Sequence, residues 1–192
     1  KNKYEQFTAD ILLKTQPYKL QNLDIGYKKE LQNFNAELLN RAIVQNHFYT
    51  NYNLNTNFNL GWFTQYFYTS QSDKNERNLL FTSLYYNILN KPLLKTGVNY
   101  QYMSFKNNVP NIYFSPSTFN AVEVFINLIK DKSNFKSKEF YYGFTAAIRY
   151  QFTEKEAKKT TYRIKTNLGY KFNKFCYLES YATQSNIAAA AV

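Results

Sequence analysis

The side chains that most often carry chemistry are scarce in this chain. It has one histidine, His47, and one cysteine, Cys176, so it offers neither a disulfide framework nor a Cys/His metal cluster. The segment 45–49 around His47 is typical of a strand or loop near an interface. Cys176 opens a predicted strand, where we expect it to be lipid-facing or packed and not reactive. No Gly-x-Ser-x-Gly, phosphate-binding glycine loop or His-Glu-x-x-His occurs. We therefore expect no catalytic residue, no metal site and no cofactor.

The other polar side chains recur at every second position, and this period is clearest from Glu139 to Phe152. One face of that segment is aromatic and aliphatic, and the opposite face is small or polar. Because successive side chains of a strand point to opposite sides, the pattern predicts a strand with one apolar and one polar face. The segment is long enough to cross a bilayer, which takes roughly 9 to 11 tilted residues. The segments 94–102, 121–128 and 161–172 share the pattern.

Ten segments read as strands once the weaker alternation of the first half is included. Turn-forming residues separate several of them, as at 72–75 and 90–92. The segment 37–44 has helical spacing and is interpreted as a loop element, and 187–192 is a tail without pattern. The predicted strands are 7–14, 22–31, 45–55, 58–69, 78–89, 94–102, 121–128, 139–152, 161–172 and 176–185.

The composition favours membrane-spanning strands over spanning helices. Tyr, Phe and Trp make up 19% of the chain, and such rings favour strands and form girdles at membrane interfaces. The mean hydropathy of -0.56 is that of a polar chain, and no run approaches the roughly 18 apolar residues of a spanning helix. A strand that faces lipid with alternate residues needs no such run. The sequence predicts one domain, 1–192, that is an all-β, antiparallel up-and-down transmembrane β-barrel of the bacterial outer membrane.

The net charge of +11 raises the question of an anionic partner. The charges occur mostly singly in turn-like segments such as 130–138 and 154–159, not as one basic stripe, so solvated loops account for most of them. We expect outer-membrane lipid and lipopolysaccharide phosphates as partners and no nucleic acid. A soluble basic β-domain that binds nucleic acid stays open as the less favoured alternative.

The functional candidates are the polar residues that a barrel would turn toward its lumen, where they would set selectivity. An equally open interpretation is that these residues have no role in selectivity and form the interior of a structural barrel, where they are solvated or paired with one another. Four cations, Arg149, Arg163, Lys165 and Lys171, should be neighbours and need compensation by Glu139, Glu123 or an anionic permeant such as an acidic polysaccharide. The predicted lumen-lining set is Lys95, Asn99, Gln101, Glu123, Asn127, Arg149, Gln151, Arg163, Lys165, Asn167, Lys171 and Glu179.

The segment that most resembles a known protein family is Tyr113-Phe114-Ser115-Pro116. This motif is similar to the Tyr-Phe-Ser-Pro segment in the C-terminal outer-membrane barrel of the cellulose-synthase operon protein C family. The segments 97–105, 37–39 and 181–188 also resemble that family, so the resemblance spans roughly residues 37 to 188. From the residues alone, Pro116 ends a strand and Tyr113 anchors at the membrane interface. The resemblance implies the alternative of a loop folded inward, whose deletion over 112–117 should raise conductance.

The resemblance implies an outer-membrane porin for polysaccharide export with helical repeats upstream and a barrel of about sixteen strands. This chain shows about ten strands, no helical repeats and no aromatic closing strand after Asn186, and it begins with Lys1. We therefore expect a C-terminal fragment of a longer chain. The leading function is a passive conduit for polysaccharide or another polar solute. The alternative is a structural subunit of an outer-membrane assembly, with a plugged lumen and outer-membrane or periplasmic partner subunits.

Overall fold

The computed structural model describes residues 7–31, 42–109, 113–130, 139–154, 158–173 and 175–186. Within these residues the secondary structure is entirely strand and turn. The described residues contain no helix that is long and apolar enough to cross a membrane. The strands are β1 (Ala9–Thr15), β2 (Gln21–Leu31), β3 (Val44–Asn55), β4 (Leu60–Gln71), β5 (Glu76–Asn90), β6 (Leu93–Phe105), β7 (Phe119–Lys130), β8 (Glu139–Thr153), β9 (Lys159–Lys171) and β10 (Tyr177–Ser185).

The ten strands form one antiparallel sheet in which every strand pairs with its sequence neighbours, in the order β1 to β10. The predicted all-β, up-and-down arrangement of about ten strands is confirmed. Each predicted strand overlaps one observed strand, and most ends differ by one to three residues. Cys176 is a small exception, because it lies exposed in the turn before β10 instead of opening the strand. The loop element predicted at 37–44 and the tail 187–192 lie wholly or mostly outside the described residues.

The sheet has two chemically different faces. The inner face is the more buried one, and on β7 it carries Phe119, Ala121, Glu123 and Phe125. The outer face is apolar and exposed, as at Val124, whose side chain is 57% exposed, and Ile148, which is 63% exposed. Other large apolar side chains that the outer face exposes are Ile25, Phe48, Trp62, Leu84, Tyr86, Val98, Val122, Ile126, Phe144 and Leu168.

Strand charges are sorted between these faces. In the described strands only Lys29, Glu76 and Lys130 point outward, each at or near a strand end. The other charges lie on the inner face, where nine cations outnumber six carboxylates. The cations are Lys14, Lys28, Arg77, Lys95, Arg149, Lys159, Arg163, Lys165 and Lys171, and the carboxylates are Asp10, Asp24, Glu30, Glu123, Glu139 and Glu179.

Glycines allow large side chains of the inner face to lie flat against the neighbouring strand. Tyr141 is 2% exposed and faces Gly169 across the β8–β9 pair. A Cβ added at Gly169 would stand 2.1 Å from the Tyr141 ring. Gly26 on β2 accommodates Tyr49 on β3 in the same way, at 2.2 Å. Glycine is needed at these two positions because a ring occupies the space of its missing side chain.

Candidate functional site

All twelve predicted lumen-lining residues lie on the inner face. The strand register carries this face from Asn99 on β6 to Glu123 on β7 and Arg149 on β8, which are aligned partners. The predicted residues on β9 and β10 lie on the same face, since Glu179 on β10 is aligned with Gly169 on β9. Period-two alternation in the second half of the chain therefore located this surface. Whether the surface lines a lumen stays a prediction.

Glu123 is the centre of a buried charge network on this face. Its side chain is 3% exposed and lies 3.2 Å from Nη2 of Arg149 and 2.9 Å from Nη2 of Arg163. The amide Nδ2 of Asn99 donates a third hydrogen bond to Oε1 at 2.9 Å. Buried charges are stable only when they are paired and hydrogen-bonded. The predicted compensation of Arg149 and Arg163 is therefore supplied within the protein, by Glu123.

The two predicted lysines of β9 are not brought into this network. Lys165 is aligned with Thr145 and exposed, and it has no ion pair among the described residues. Lys171 lies at the end of β9, aligned with Glu139. Lys95 on β6 lies over the ring of Tyr85 at 5.0 Å from its centroid, a cation–π contact. Lys165 and Lys95 are thus positive charges of the inner face that have no carboxylate partner in the part of the chain that the structure describes.

The described residues 106–109 and 113–118 of the connection between β6 and β7, which include the Tyr-Phe-Ser-Pro motif, lie over one end of the inner face. Tyr113 is 7% exposed and packs its ring 5.8 Å from that of Phe105, an inner-face residue. The single proton of its hydroxyl is shared between Gln71 Oε1 at 2.8 Å and Asp73 Oδ2 at 3.0 Å, and the hydroxyl oxygen accepts from Asn75 Nδ2 at 2.7 Å. Burial raises the pKa of Tyr113 to about 12. Tyr113 therefore ties this connection to the β4–β5 turn.

This placement differs from the membrane-interface anchor that the motif suggested from its residues alone. An interfacial ring is exposed to lipid headgroups, whereas Tyr113 lies against protein. Ser115 is also buried, at 2% exposed, and its Oγ accepts a hydrogen bond from the backbone N–H of Val109 at 2.7 Å. Phe114 packs its ring edge-on against Phe119, with 6.0 Å between centroids. The carbonyl of Pro116 accepts a hydrogen bond from the backbone N–H of Phe105 at 3.1 Å.

A second polar group of the inner face, around His47, was not predicted. His47 lies near the start of strand β3, in agreement with the expected strand or loop position, and its side chain is buried at 6% exposed. Its Nδ1 is 2.9 Å from Thr69 Oγ1, and its Nε2 is 3.2 Å from Glu30 Oε1, within ion-pair distance but outside hydrogen-bond geometry. Lys28 Nζ lies 2.5 Å from Glu30. These residues border a pocket of about 190 Å³ whose lining is Lys28, Glu30, His47, Tyr49, Phe67, Arg77 and Leu79.

The order Thr69, His47, Glu30 superficially resembles a nucleophile, a base and an orienting carboxylate. Thr69 is 0% exposed, so a substrate carbonyl cannot reach its hydroxyl oxygen. The two contacts of His47 instead hold its ring against the pocket wall. In the part of the chain that the structure describes, no three His, Cys, Asp or Glu side chains gather as metal ligands.

The alternation of the first half is weak because both faces of its strands carry large apolar side chains. On β4, Phe63 and Phe67 lie on the inner face while Trp62 and Tyr66 lie on the outer face. A period of two is invisible where both phases are aromatic. No local pattern in the sequence marks Arg77, because it lies between Glu76 and Asn78 at the start of β5.

The comparisons with known proteins match the fold. No protein-family model matches the chain, and no curated protein matches it. A solved structure described as a bacterial polysaccharide outer membrane secretin is similar, with a TM-score of 0.78 and 10% sequence identity. The match covers 93% of this chain and 62% of that chain. The chain thus shares its fold with that structure and spans less than two thirds of it. No match to the cellulose-synthase operon protein C family was found.

Proposed function

We propose that this chain is the larger part of an outer-membrane β-barrel that acts as a passive conduit for polysaccharide or another polar solute. The observation that carries the proposal is the sorting of strand charges. Lys29, Glu76 and Lys130, the outward charges of the described strands, stand at or near strand ends, while the outer face between them is apolar and exposed. A soluble sheet would leave that area in water, whereas lipid covers it without cost.

The inner face has the properties that a conduit wall needs. It is polar, it carries more cations than carboxylates, and its most buried charge, Glu123, is already paired with two arginines. Side chains such as Lys165 and Lys95 are left to act on a passing solute. An excess of one sign on a pore wall favours permeants of the opposite sign. The proposed conduit therefore favours anions and is not an enzyme.

Closure of the barrel requires strands beyond the ten described. In the described residues β1 and β10 are the edges of the sheet, and unpaired edges are not stable in lipid. The similar solved structure is longer, because the match covers 62% of it. We propose that further strands of a longer chain complete a barrel of about sixteen strands.

Conductance in a planar bilayer tests the conduit, using the full-length protein. We expect stable single channels that prefer anions, and Lys165→Glu combined with Lys95→Glu should shift the reversal potential toward cation preference. Lys29→Glu, on the outer face, should leave the reversal potential unchanged. Absence of channels, or equal selectivity in all variants, would contradict the proposal.

The position of Tyr113 favours a second candidate, a structural subunit with a plugged lumen. Residues 113–118 of the connection between β6 and β7 lie over the inner face, where the hydroxyl of Tyr113 contacts Gln71, Asp73 and Asn75. If this connection closes the lumen, deletion of 113–117 should raise a near-zero conductance severalfold. If the pore is open beside it, the same deletion should change conductance little.

A further inference from the structure

The pocket between β2 and β5 contains a cation that has no counterion. Arg77 is half-buried, and its guanidinium Nη2 donates to Thr69 Oγ1 at 3.3 Å. Its Nε is buried and makes no hydrogen bond. No carboxylate of the described residues lies within ion-pair distance of Arg77. The terminal nitrogens of this guanidinium, rather than Nε, keep N–H donors that can meet an external acceptor, and a charge in such a partly buried position is normally paired.

The nearby carboxylate does not satisfy Arg77, because other groups hold it. Glu30 is contacted by Lys28 at 2.5 Å and by His47 at 3.2 Å. The charges of Lys28 and Glu30 cancel, so Arg77 gives the pocket a net positive charge. The carboxylate of Asp10 is aligned with Lys28 on the far side, on β1. An anion that enters the pocket therefore meets one unneutralised guanidinium.

Two of the residues that line the pocket are aromatic. Tyr49 and Phe67 are aligned partners on β3 and β4, and their rings are 5.4 Å apart with an angle of 29° between planes. Ring faces of this kind bind the apolar face of a pyranose, whose axial C–H groups are weakly acidic. The pocket volume of about 190 Å³ far exceeds the roughly 10 to 15 Å³ that one water needs.

We propose that this pocket is a binding subsite for an acidic saccharide, in which Arg77 holds the carboxylate and Tyr49 and Phe67 hold the sugar ring. Arg77 can bind a carboxylate through two parallel N–H donors. His47 also lines the pocket, but its Nε2 is buried 3.2 Å from Glu30 Oε1 and is not open to a ligand. The inference rests on the proposed conduit function, and it specifies the class of permeant.

Calorimetric titration of the detergent-solubilised, full-length protein tests the subsite, with hexagalacturonate as the acidic probe and maltohexaose as the neutral one. We expect hexagalacturonate to bind and maltohexaose to bind at least tenfold more weakly. Arg77→Gln should weaken hexagalacturonate binding at least tenfold. The matched control is Lys29→Gln, which removes one charge from the outer face of the same region and should change the affinity less than twofold.

A second variant covers the case in which Arg77→Gln fails to fold. Leu79 lines the pocket two residues from Arg77 on the same face, so Leu79→Glu supplies the guanidinium with an internal carboxylate. Leu79→Glu should abolish hexagalacturonate binding while the protein keeps its heat-modifiable migration. Unchanged binding in a folded Arg77→Gln or Leu79→Glu variant would overturn the subsite. Equal affinity for inorganic phosphate would overturn its saccharide character.

The subsite and the conduit can fail separately. Anion-selective channels without hexagalacturonate binding would overturn the subsite and leave the conduit standing. Saturable hexagalacturonate binding that depends on Arg77, without any channel, would support the subsite in a plugged structural subunit.

Discussion

Arg163 on β9 reaches across β8 to Glu123 on β7, with 2.9 Å between Nη2 and Oε1. Arg149 on the intervening strand contacts the other carboxylate oxygen at 3.2 Å. One carboxylate therefore joins three consecutive strands on the inner face. The two arginines are partly exposed and carry one positive charge more than Glu123 neutralises, so the network both joins the strands and gives this part of the face a positive potential.

Removal of the carboxylate should destabilise the sheet. Glu123→Gln leaves two arginines without their counterion, and breaking a buried pair from one side costs about 3 to 5 kcal/mol. We expect a lower midpoint of urea unfolding in detergent, with native aromatic circular dichroism lost earlier. Glu139→Gln, at the half-exposed start of β8, is the matched control and should change the midpoint little. Equal midpoints for the two variants would mean that the network does not stabilise the fold.

The hydroxyl of Tyr113 should hold the connection 106–118 in place. Tyr113→Phe removes one donor and one acceptor and leaves partners on the β4–β5 turn unsatisfied, at a cost of about 1 to 3 kcal/mol. We expect faster amide hydrogen exchange and faster proteolysis within the connection, with little change in the strands. Tyr18→Phe is the control, since Tyr18 is 71% exposed. If exchange in the connection is the same in both variants, the hydroxyl network is not what orders it.

The same residue predicts a response to alkaline pH. Burial raises the pKa of Tyr113 from its usual 10 to about 12, so the folded state holds the phenolic proton more tightly than the unfolded state. This contribution to stability is complete below pH 10 and is lost as the pH rises toward 12. The melting temperature of the wild type should therefore fall more steeply over that range than that of Tyr113→Phe. Parallel curves would contradict the assignment.

The contact between Gly169 and Tyr141 should show strong coupling. A methyl group at Gly169 would occupy the position of the Tyr141 ring, so Gly169→Ala must displace a buried ring and should cost about 1 to 3 kcal/mol. Once Tyr141→Ala has removed the ring, Gly169→Ala should cost much less. A double-mutant cycle of unfolding free energies measures this difference. Additive costs would show that the ring does not depend on the glycine.

The sequence located the sheet and half of the candidate surface for a physical reason. Between Leu94 and Lys171, polar side chains such as Asn99 and Arg149 alternate with apolar ones. The same alternation therefore identifies both the strand and the face on which each side chain lies. In β3 to β5 the inner face also holds Tyr49 and Phe67, which hides the period. The pairing of Arg163 with Glu123 depends on register across three strands, and the burial of Tyr113 depends on a long connection. Neither is encoded in local pattern.

Site-directed spin labelling along β8 in lipid bilayers tests the central claim, that the outer face meets lipid and the inner face meets water. Labels are attached to single cysteines at Phe144, Thr145, Ile148 and Arg149 in a Cys176→Ser background. We predict that Phe144 and Ile148 collide preferentially with oxygen dissolved in lipid, and that Thr145 and Arg149 collide with a water-soluble nickel complex. Equal access of the nickel complex to all four positions would contradict the membrane-spanning account.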